Sequence, residues 1–485
     1  MKRNKSNLSN YKLTTCDMGE LVPVQLQEIL PGDTMQMSTS ALVRVSPMLA
    51  PVMHPCTVRF HHWFVPTRLL WDGWEDFITG GPDNANTDTI PQYVIPTDFP
   101  AGTILDHLGV PVVDGLSVNA LPIRAYNLIF NEFYRDQDLQ PTERAQDTTG
   151  LANVAWRKDY FTTARPWSQK GADIVIPIGT SAPVTQATPT ASFLTDINGG
   201  ATDLNNEGTA GTYNYNSTTL TPTGATSLSI PDGTLIADLS SATGITANEF
   251  RELFALQRYA EARASYGSRY TEYLRYLGVT PSDARLQRPE YLGGGKSTLQ
   301  FSEVLTTFDN ESTGDPTGTM RGHGITALKT RKNRRYFEEH GYVMTLMSVI
   351  PKSIYQDGVN RTWLRQDKED FFQMELQNIG QQKIKQGEVD ATVPADIHNT
   401  FGYSDRYADY TSVPSTIGGE FRDLLDYWHL ARKWSTTPAL NEDFIKCVPS
   451  KRIHAEQTQN TLWCMINNSV VARRMVKKTQ IGRLM

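Results

Sequence analysis

The sequence predicts a mainly β, antiparallel sandwich interrupted by long, partly helical insertions. Three observations carry that class. Several short stretches alternate apolar and polar side chains with the period of two that a half-buried strand needs. Helical signatures fall in blocks between these stretches rather than after each one, which argues against a parallel, doubly wound sheet. The 485 residues, with nine Trp, 20 Tyr and 18 Phe, are enough for a large core and too aromatic for a disordered chain. That length fits about three domains, or one domain with long insertions.

Taken in order, Val22, Val24 and Leu26 alternate with polar residues, and Pro23 points to an edge position because it cannot donate to a ladder. Met35, Met37, Ala41, Val43 and Val45 form the next apolar row, and residues 56–65 alternate again. Further strands are expected at 172–178, 298–308, 341–350 and 461–471. Between them, 66–79 reads as a helix stopped by Gly80, and 121–135 as a helix with Pro122 in its first turn. Thr246 and Glu249 make a capping box ahead of Phe250, Leu253 and Phe254, and a short helix at 269–277 ends before Gly278. The resulting plan is a basic arm at 1–19 and one sandwich domain at 20–485. Its insertions are 66–170, 180–245 and 246–297, and its basic tail is 470–485.

Residues 180–245 differ in kind. They hold no Lys or Arg, five acids, and Ser, Thr or Gly at 29 of 66 positions. Such a stretch buries little apolar surface, so it is expected as a surface insertion.

Charge is placed unevenly. Lys2, Arg3, Lys5 and Lys12 stand without an acid in residues 1–12, and Arg473, Arg474, Lys477, Lys478 and Arg483 without one in 470–485. The remainder carries 37 basic against 52 acidic residues. Basic ends on an acidic body predict tails that meet a polyanion. Charged residues are only 20% of the chain, and with so many aromatics this predicts extensive contact with other protein. No apolar run is long enough to span a bilayer, and no apolar stretch follows the basic start as in a signal peptide. Cys16, Cys56, Cys447 and Cys464 form no Cys-x-x-Cys pair and read as reduced, buried thiols made in a cytosol.

Catalytic motifs find no support. Gly293-Gly-Gly-Lys296-Ser297-Thr298 resembles the end of a phosphate-binding loop, but Glu290 stands where the first Gly belongs and no apolar strand precedes it. A turn leading into a strand is the better reading. His54, Cys56, His61 and His62 cluster without metal-site spacing, and the two adjacent histidines of a strand face opposite ways. Residues 329–335 pack five basic side chains into seven positions. This run reads as a solvated turn before a strand, with phosphate binding as the lesser alternative. No cofactor or metal is called for.

Several motifs together resemble one family. They are Leu121-Pro-Ile-Arg-Ala-Tyr-Asn-Leu-Ile-Phe130-Asn-Glu-Phe-Tyr-Arg-Asp136-Gln, Asp159-Tyr-Phe-Thr162, Pro166-Trp-Ser-Gln-Lys-Gly171 and Asp283-Ala-Arg-Leu-Gln-Arg-Pro-Glu-Tyr-Leu-Gly-Gly294. Glu339-His-Gly-Tyr342, Phe401-Gly-Tyr-Ser-Asp-Arg-Tyr407, Leu30-Pro-Gly-Asp33, Phe64-Val-Pro-Thr-Arg-Leu69 and Trp71-Asp-Gly-Trp74 complete the set. In this order they resemble the major capsid proteins of microviruses, in the gokushovirus branch, from about residue 14 to the C-terminus. The tail Ala472-Arg-Arg-Met-Val-Lys-Lys478 is more basic than the family pattern.

The resemblance implies a viral jelly roll with Greek-key connections, and copies that assemble into the simplest icosahedral (T=1) shell around circular single-stranded DNA. It implies internal scaffolding and small DNA-packing partners, a host cell-surface receptor, no membrane, and a virion assembled in the host cytoplasm. Lys2, Arg3, Arg473, Arg474, Lys477, Lys478 and Arg483 are then expected on the shell interior, touching DNA phosphates without sequence preference. Residues 180–245 fall at the family's variable insertion. They are expected to project at the threefold axes, with Phe193, Leu194, Tyr213 and Tyr215 packed among three copies and the protrusion meeting the host. A carbohydrate-binding or adhesion sandwich is the competing reading. It explains the aromatics but neither the basic ends nor the missing export signal.

Overall fold

The computed structural model describes residues 3–81, 86–172, 174, 246–307 and 316–476, with short strands at 184–186, 212–216, 219–223 and 235–237. Two compact units result, one of residues 1–170 with 261–485 and one of residues 171–260.

Five strands open the chain: β1 (Asn4–Asn7), β2 (Asn10–Cys16), β3 (Glu20–Ile29), β4 (Thr34–Val45) and β5 (Cys56–Pro66). The next segment carries helix α1 (Trp74–Thr79), β6 (Gln92–Val94), α2 (Ile104–Leu108), β7 (Ser117–Asn119), α3 (Leu121–Ile129) and β8 (Ala152–Asn153). The smaller unit holds β9 (Val184–Gln186), β10 (Thr212–Asn216), β11 (Thr219–Thr223) and β12 (Leu235–Ala237), paired β9 with β12 and β10 with β11. Helix α4 (Ala247–Tyr266) follows, started by the predicted box: Thr246 N donates to Glu249 Oε2 at 2.8 Å and Glu249 N to Thr246 Oγ1 at 3.3 Å. Then come α5 (Tyr270–Tyr276), β13 (Glu290–Leu305), β14 (Met320–Lys329), β15 (Asn333–Tyr336) and β16 (Gly341–Pro351). The pair β17 (Gln381–Lys385) and β18 (Thr400–Asp405) and the long β19 (Leu462–Arg474) complete the larger unit.

Its main ladders are all antiparallel. In one sheet β1 and β2 flank one side of β19, β4 lies on the other side, and β14 and β15 follow β4. In the other sheet the order is β13, β5, β16, β3. The sheets are joined by β13, whose Gln300–Leu305 pairs with β14 and whose Glu290–Leu299 pairs with β5. The main core lies between them. Val24, Phe60 and Val349 from one sheet pack with Val43, Leu462 and Ile466 from the other. This is the antiparallel sandwich expected from the alternation, with residues 461–471 returning beside an early strand.

The β5–β16–β3 sheet is covered on its other face too. There Leu21, Trp63, Val65 and Leu346 pack against Leu121, Tyr126 and Ile129 of α3. The Tyr126 hydroxyl donates to Leu21 O at 2.7 Å and accepts from Ala152 N at 3.0 Å, so its burial leaves no polar atom orphaned. Pro23 takes the edge position that its missing N–H demands, because β8 reaches only Glu20 and Leu21.

A polar seam crosses the core. His62 contacts Thr345 Oγ1 at 2.8 Å and Thr330 Oγ1 at 3.3 Å. Thr345 Oγ1 donates onward to Gln25 Oε1, and Thr330 Oγ1 accepts from Thr39 N. Thr39 Oγ1 donates to Asn468 Oδ1, and Asn468 Nδ2 to Val24 O. Because Thr345 spends its proton on Gln25, the hydrogen-bond pattern assigns Nδ1–H to His62 and leaves Nε2 as acceptor. Burial lowers this imidazole to about 4, which keeps it neutral and matched to the seam. His61 points the other way, to the Tyr134 hydroxyl at 2.6 Å.

Several expectations need correction. The Gly293–Gly295 run is not a turn but part of β13, where Gly294 packs so close to the Phe60 carbonyl that a Cβ would collide with it. Gly293, at φ +132°, sits at a register shift. Residues 333–335 of the basic run, together with Tyr336, are a strand paired with β4. The glycines of β14, Gly322 and Gly324, hid that strand from the alternation, yet each lies against neighbouring chain that leaves no room for a side chain. The 66–79 helix is shorter, a single turn at Thr67–Leu69 and then α1, because Pro66 still pairs in β5. The basic arm contributes two strands, β1 and β2. The strand expected at 172–178 lies largely outside the described residues.

Candidate nucleic-acid interface

β19 alternates along its whole length. Leu462, Cys464, Ile466, Val470 and Ala472 face the core, and Trp463, Met465, Ser469 and Arg473 face out. Near its C-terminal end the ladders place Lys5 opposite Arg473 on one side and Thr34 opposite Arg473 on the other. One position along, Gln36 stands between Val471 and Arg334. The side chains enclose a groove of about 300 Å³ in which Lys5, Lys332, Arg334 and Arg473 meet Thr34, Gln36, Ser38 and Ser469, and no Asp or Glu lines it.

Like charges placed directly opposite each other in a ladder destabilise it. The neighbours Arg335 and Arg474 are neutralised, by Glu290 and Asp33, each at 2.8 Å. Lys5, Lys332, Arg334 and Arg473 have no ion-pair partner among the described residues. Three of these cations lie on strands and Lys332 in the connection just before β15, and with hydroxyls and an amide between them their chemistry suits phosphate.

The family model described as "Capsid protein (F protein)" matches residues 1–480. The chain belongs to this capsid protein family. It is 39% identical over 477 residues to the capsid protein VP1 of Bdellovibrio phage phiMH2K, covering 92% of this chain and 88% of that one. It is 32% identical to capsid protein VP1 of Chlamydia phage 1, over 92% and 89% of the two chains, and 30% identical to that of Spiroplasma virus 4, over 92% and 87%. The microvirus resemblance carried by the motifs therefore holds. This is a structural capsid protein and not an enzyme, a component of an oligomeric shell whose place is the virion.

Within the capsid protein the predicted basic residues separate. Arg473 opens into the groove. Arg474 instead turns back, donating to buried Asp33 and, at 3.2 Å, to Glu28 O. This gives the Leu30-Pro-Gly-Asp33 motif its structural meaning. Arg3 donates to Gly32 O at 2.9 Å and Thr34 Oγ1 at 3.1 Å and lies over the Tyr336 ring. Lys12 points inward to Pro23 O at 3.1 Å, and burial lowers its ammonium to about 8. Lys2, Lys477, Lys478 and Arg483 lie outside the described residues, as do Phe193 and Leu194. Tyr213 and Tyr215 lie in β10, where the ladder pairs them with Pro222 and Leu220 of β11.

Lys332 and Arg334 are the residues that sequence reasoning set aside. Their charge run was visible, but its value depends on β15 lying beside β4.

Proposed function

We propose that this capsid protein builds a closed T=1 icosahedral shell around circular single-stranded DNA, and that the outer face of the β1–β19–β4–β15 sheet lines its interior. The acid-free groove carries the reading. An unpaired cation cluster that strains its own ladder gains most from the densest anion available, a nucleic-acid backbone. The basic ends, Lys2 and Arg3 with Lys477, Lys478 and Arg483, would add charge for the same DNA. Internal scaffolding and small DNA-packing proteins would share that interior during assembly in the host cytoplasm. Residues 180–245, without a single Lys or Arg, suit the exterior, at a threefold protrusion that meets the host receptor.

The test is a quadruple variant, Lys5→Gln, Lys332→Gln, Arg334→Gln and Arg473→Gln. Shell assembly persists and genome content per particle falls. Binding of the purified protein to oligo(dT) loses about 2.8 from its log–log salt slope, at roughly 0.7 per contact. Unchanged DNA content and slope would reject the groove as the DNA lining. For the protrusion, replacing 185–240 by a short Gly/Ser bridge leaves particles that assemble but no longer adsorb to host cells. Normal adsorption would reduce it to a passive loop.

A further inference from the structure

The opposite end of the same sheet face has a different chemistry. Tyr11 and Leu13 are 74% and 80% exposed, and Trp463 and Met465 are 44% and 46% exposed. The ladders bring them together: Leu13 is opposite Met465, Tyr11 opposite Asn467, and Trp463 stands between Thr15 and Arg44. Asn467 Nδ2 donates to the Tyr11 hydroxyl at 3.4 Å, which holds that ring beside β19. Leu13, Trp463 and Met465 border a cavity of about 930 Å³ lined also by Leu42 and Leu151, by Lys12 and Arg44, and by Glu20 and Asp106. Single exposed apolar residues need no explanation, but a contiguous patch does.

Along β19 the outward side chains run from Trp463 and Met465 through Asn467 and Ser469 to Arg473. Same-face residues are about 6.6 Å apart, so the aromatic end lies about 33 Å from the cationic end. A nucleic-acid strand has the matching halves, an anionic backbone and flat, apolar base faces. In a duplex those faces are stacked inside and unavailable. In a single strand they are free to stack on an aromatic ring. Lys12 and Arg44 balance Glu20 and Asp106 in this cavity, so its apolar side chains and not a net charge set its preference. The unpaired cations gathered at the other end suit the backbone, and the exposed rings at this end suit the bases.

We propose that Trp463 and Tyr11 form a stacking platform for unpaired bases of the nucleic acid whose phosphates are held at Lys5 and Arg473, so that this face selects single strands over duplexes. The proposal rests on the reading of the sheet as the DNA lining.

The purified full-length protein is titrated with labelled oligo(dT) and with a duplex of equal length across a salt series. Trp463→Ala with Tyr11→Ala weakens oligo(dT) binding by about 5- to 150-fold and leaves duplex affinity and the salt slope unchanged. Trp463→Phe with Tyr11→Phe restores most of the loss. Lys5→Gln with Arg473→Gln weakens both ligands and lowers the oligo(dT) slope by about 1.4. Equal loss for oligomer and duplex, or no loss, overturns the stacking platform while the phosphate lining stands. Absence of salt-dependent binding in the parent overturns both. Ultraviolet crosslinking of intact particles gives a second readout that needs no variant. Base adducts on the peptides holding Tyr11 and Trp463 support the platform, and adducts confined to other peptides overturn it, leaving that patch to a second copy or a packing peptide.

Discussion

The two sheets of the sandwich face different worlds. The β5–β16–β3 sheet is buried on both sides, by the opposite sheet and by α3. In β16 ten of eleven residues are buried, and its sequence runs apolar almost without a break. The β1–β19–β4–β15 sheet has one buried face, and β19 alternates buried with exposed or half-buried residues from Leu462 to Ala472. A sheet covered on both faces has no side left for function. A sheet covered on one face can present an unbroken surface, and here that surface carries both the cations and the exposed aromatic rings. The face that packing leaves uncovered is the face available for binding.

Core truncation gives the largest contrast between the sheets. Tyr126→Ala, beneath the doubly buried sheet, costs about 3–5 kcal/mol in denaturant unfolding, from the cavity and two lost hydrogen bonds. Met465→Ala on the open face stays within about 0.5 kcal/mol. Comparable losses at the two sites would erase the distinction between covered and open faces.

Acid sharpens the same contrast from inside. Burial lowers His54, His62 and His454 to about 4, against about 6.5 in an unfolded chain. Above about pH 6.5 these histidines are neutral in both states and the full stability is present. As pH falls from about 6.5 towards 4 the unfolded state takes up protons first, so each histidine removes up to about 1.4 kcal/mol per pH unit. Unfolding measured between pH 7 and 4 follows this decline, and His62→Gln makes it shallower. A profile unaltered by His62→Gln would exclude the polar seam as its source.

The smallest effect is on the open face itself. Lys5→Gln relieves the opposed pair with Arg473 and raises stability by about 0.2–1 kcal/mol at low salt. The gain shrinks as salt screens the repulsion. A loss of stability instead would mean that Lys5 is already neutralised by an anion or an acid.

Much of this architecture was legible beforehand, for a local reason. Alternation at 35–45, 56–65 and 461–471 exposes strands because side chains point to opposite faces with period two. The Thr246–Glu249 box marks a helix start because its hydrogen bonds close within four residues. Strand β14 was not legible, since Gly322 and Gly324 remove the apolar marks from its pattern and their close packing is invisible in one dimension. The same holds for the Gly293–Gly295 run, which reads as a turn until Phe60 is seen pressed against it. The cationic groove was half legible. Arg473 stood out as part of a basic end, whereas Lys332 and Arg334 looked like a solvated turn.

By itself the sequence determined the β class, the capped helices, the capsid family motifs and the imbalance between basic ends and an acidic body. Each of these is set by neighbours along the chain or by composition. Only the tertiary structure decided that Lys5, Arg334 and Arg473 share one face, while Arg474, one residue further on, is claimed by Asp33. Partners in a ladder are chosen by long-range pairing and by which faces can be buried together. A one-residue step along β19 therefore separates a cation without an ion-pair partner among the described residues from one that holds the fold.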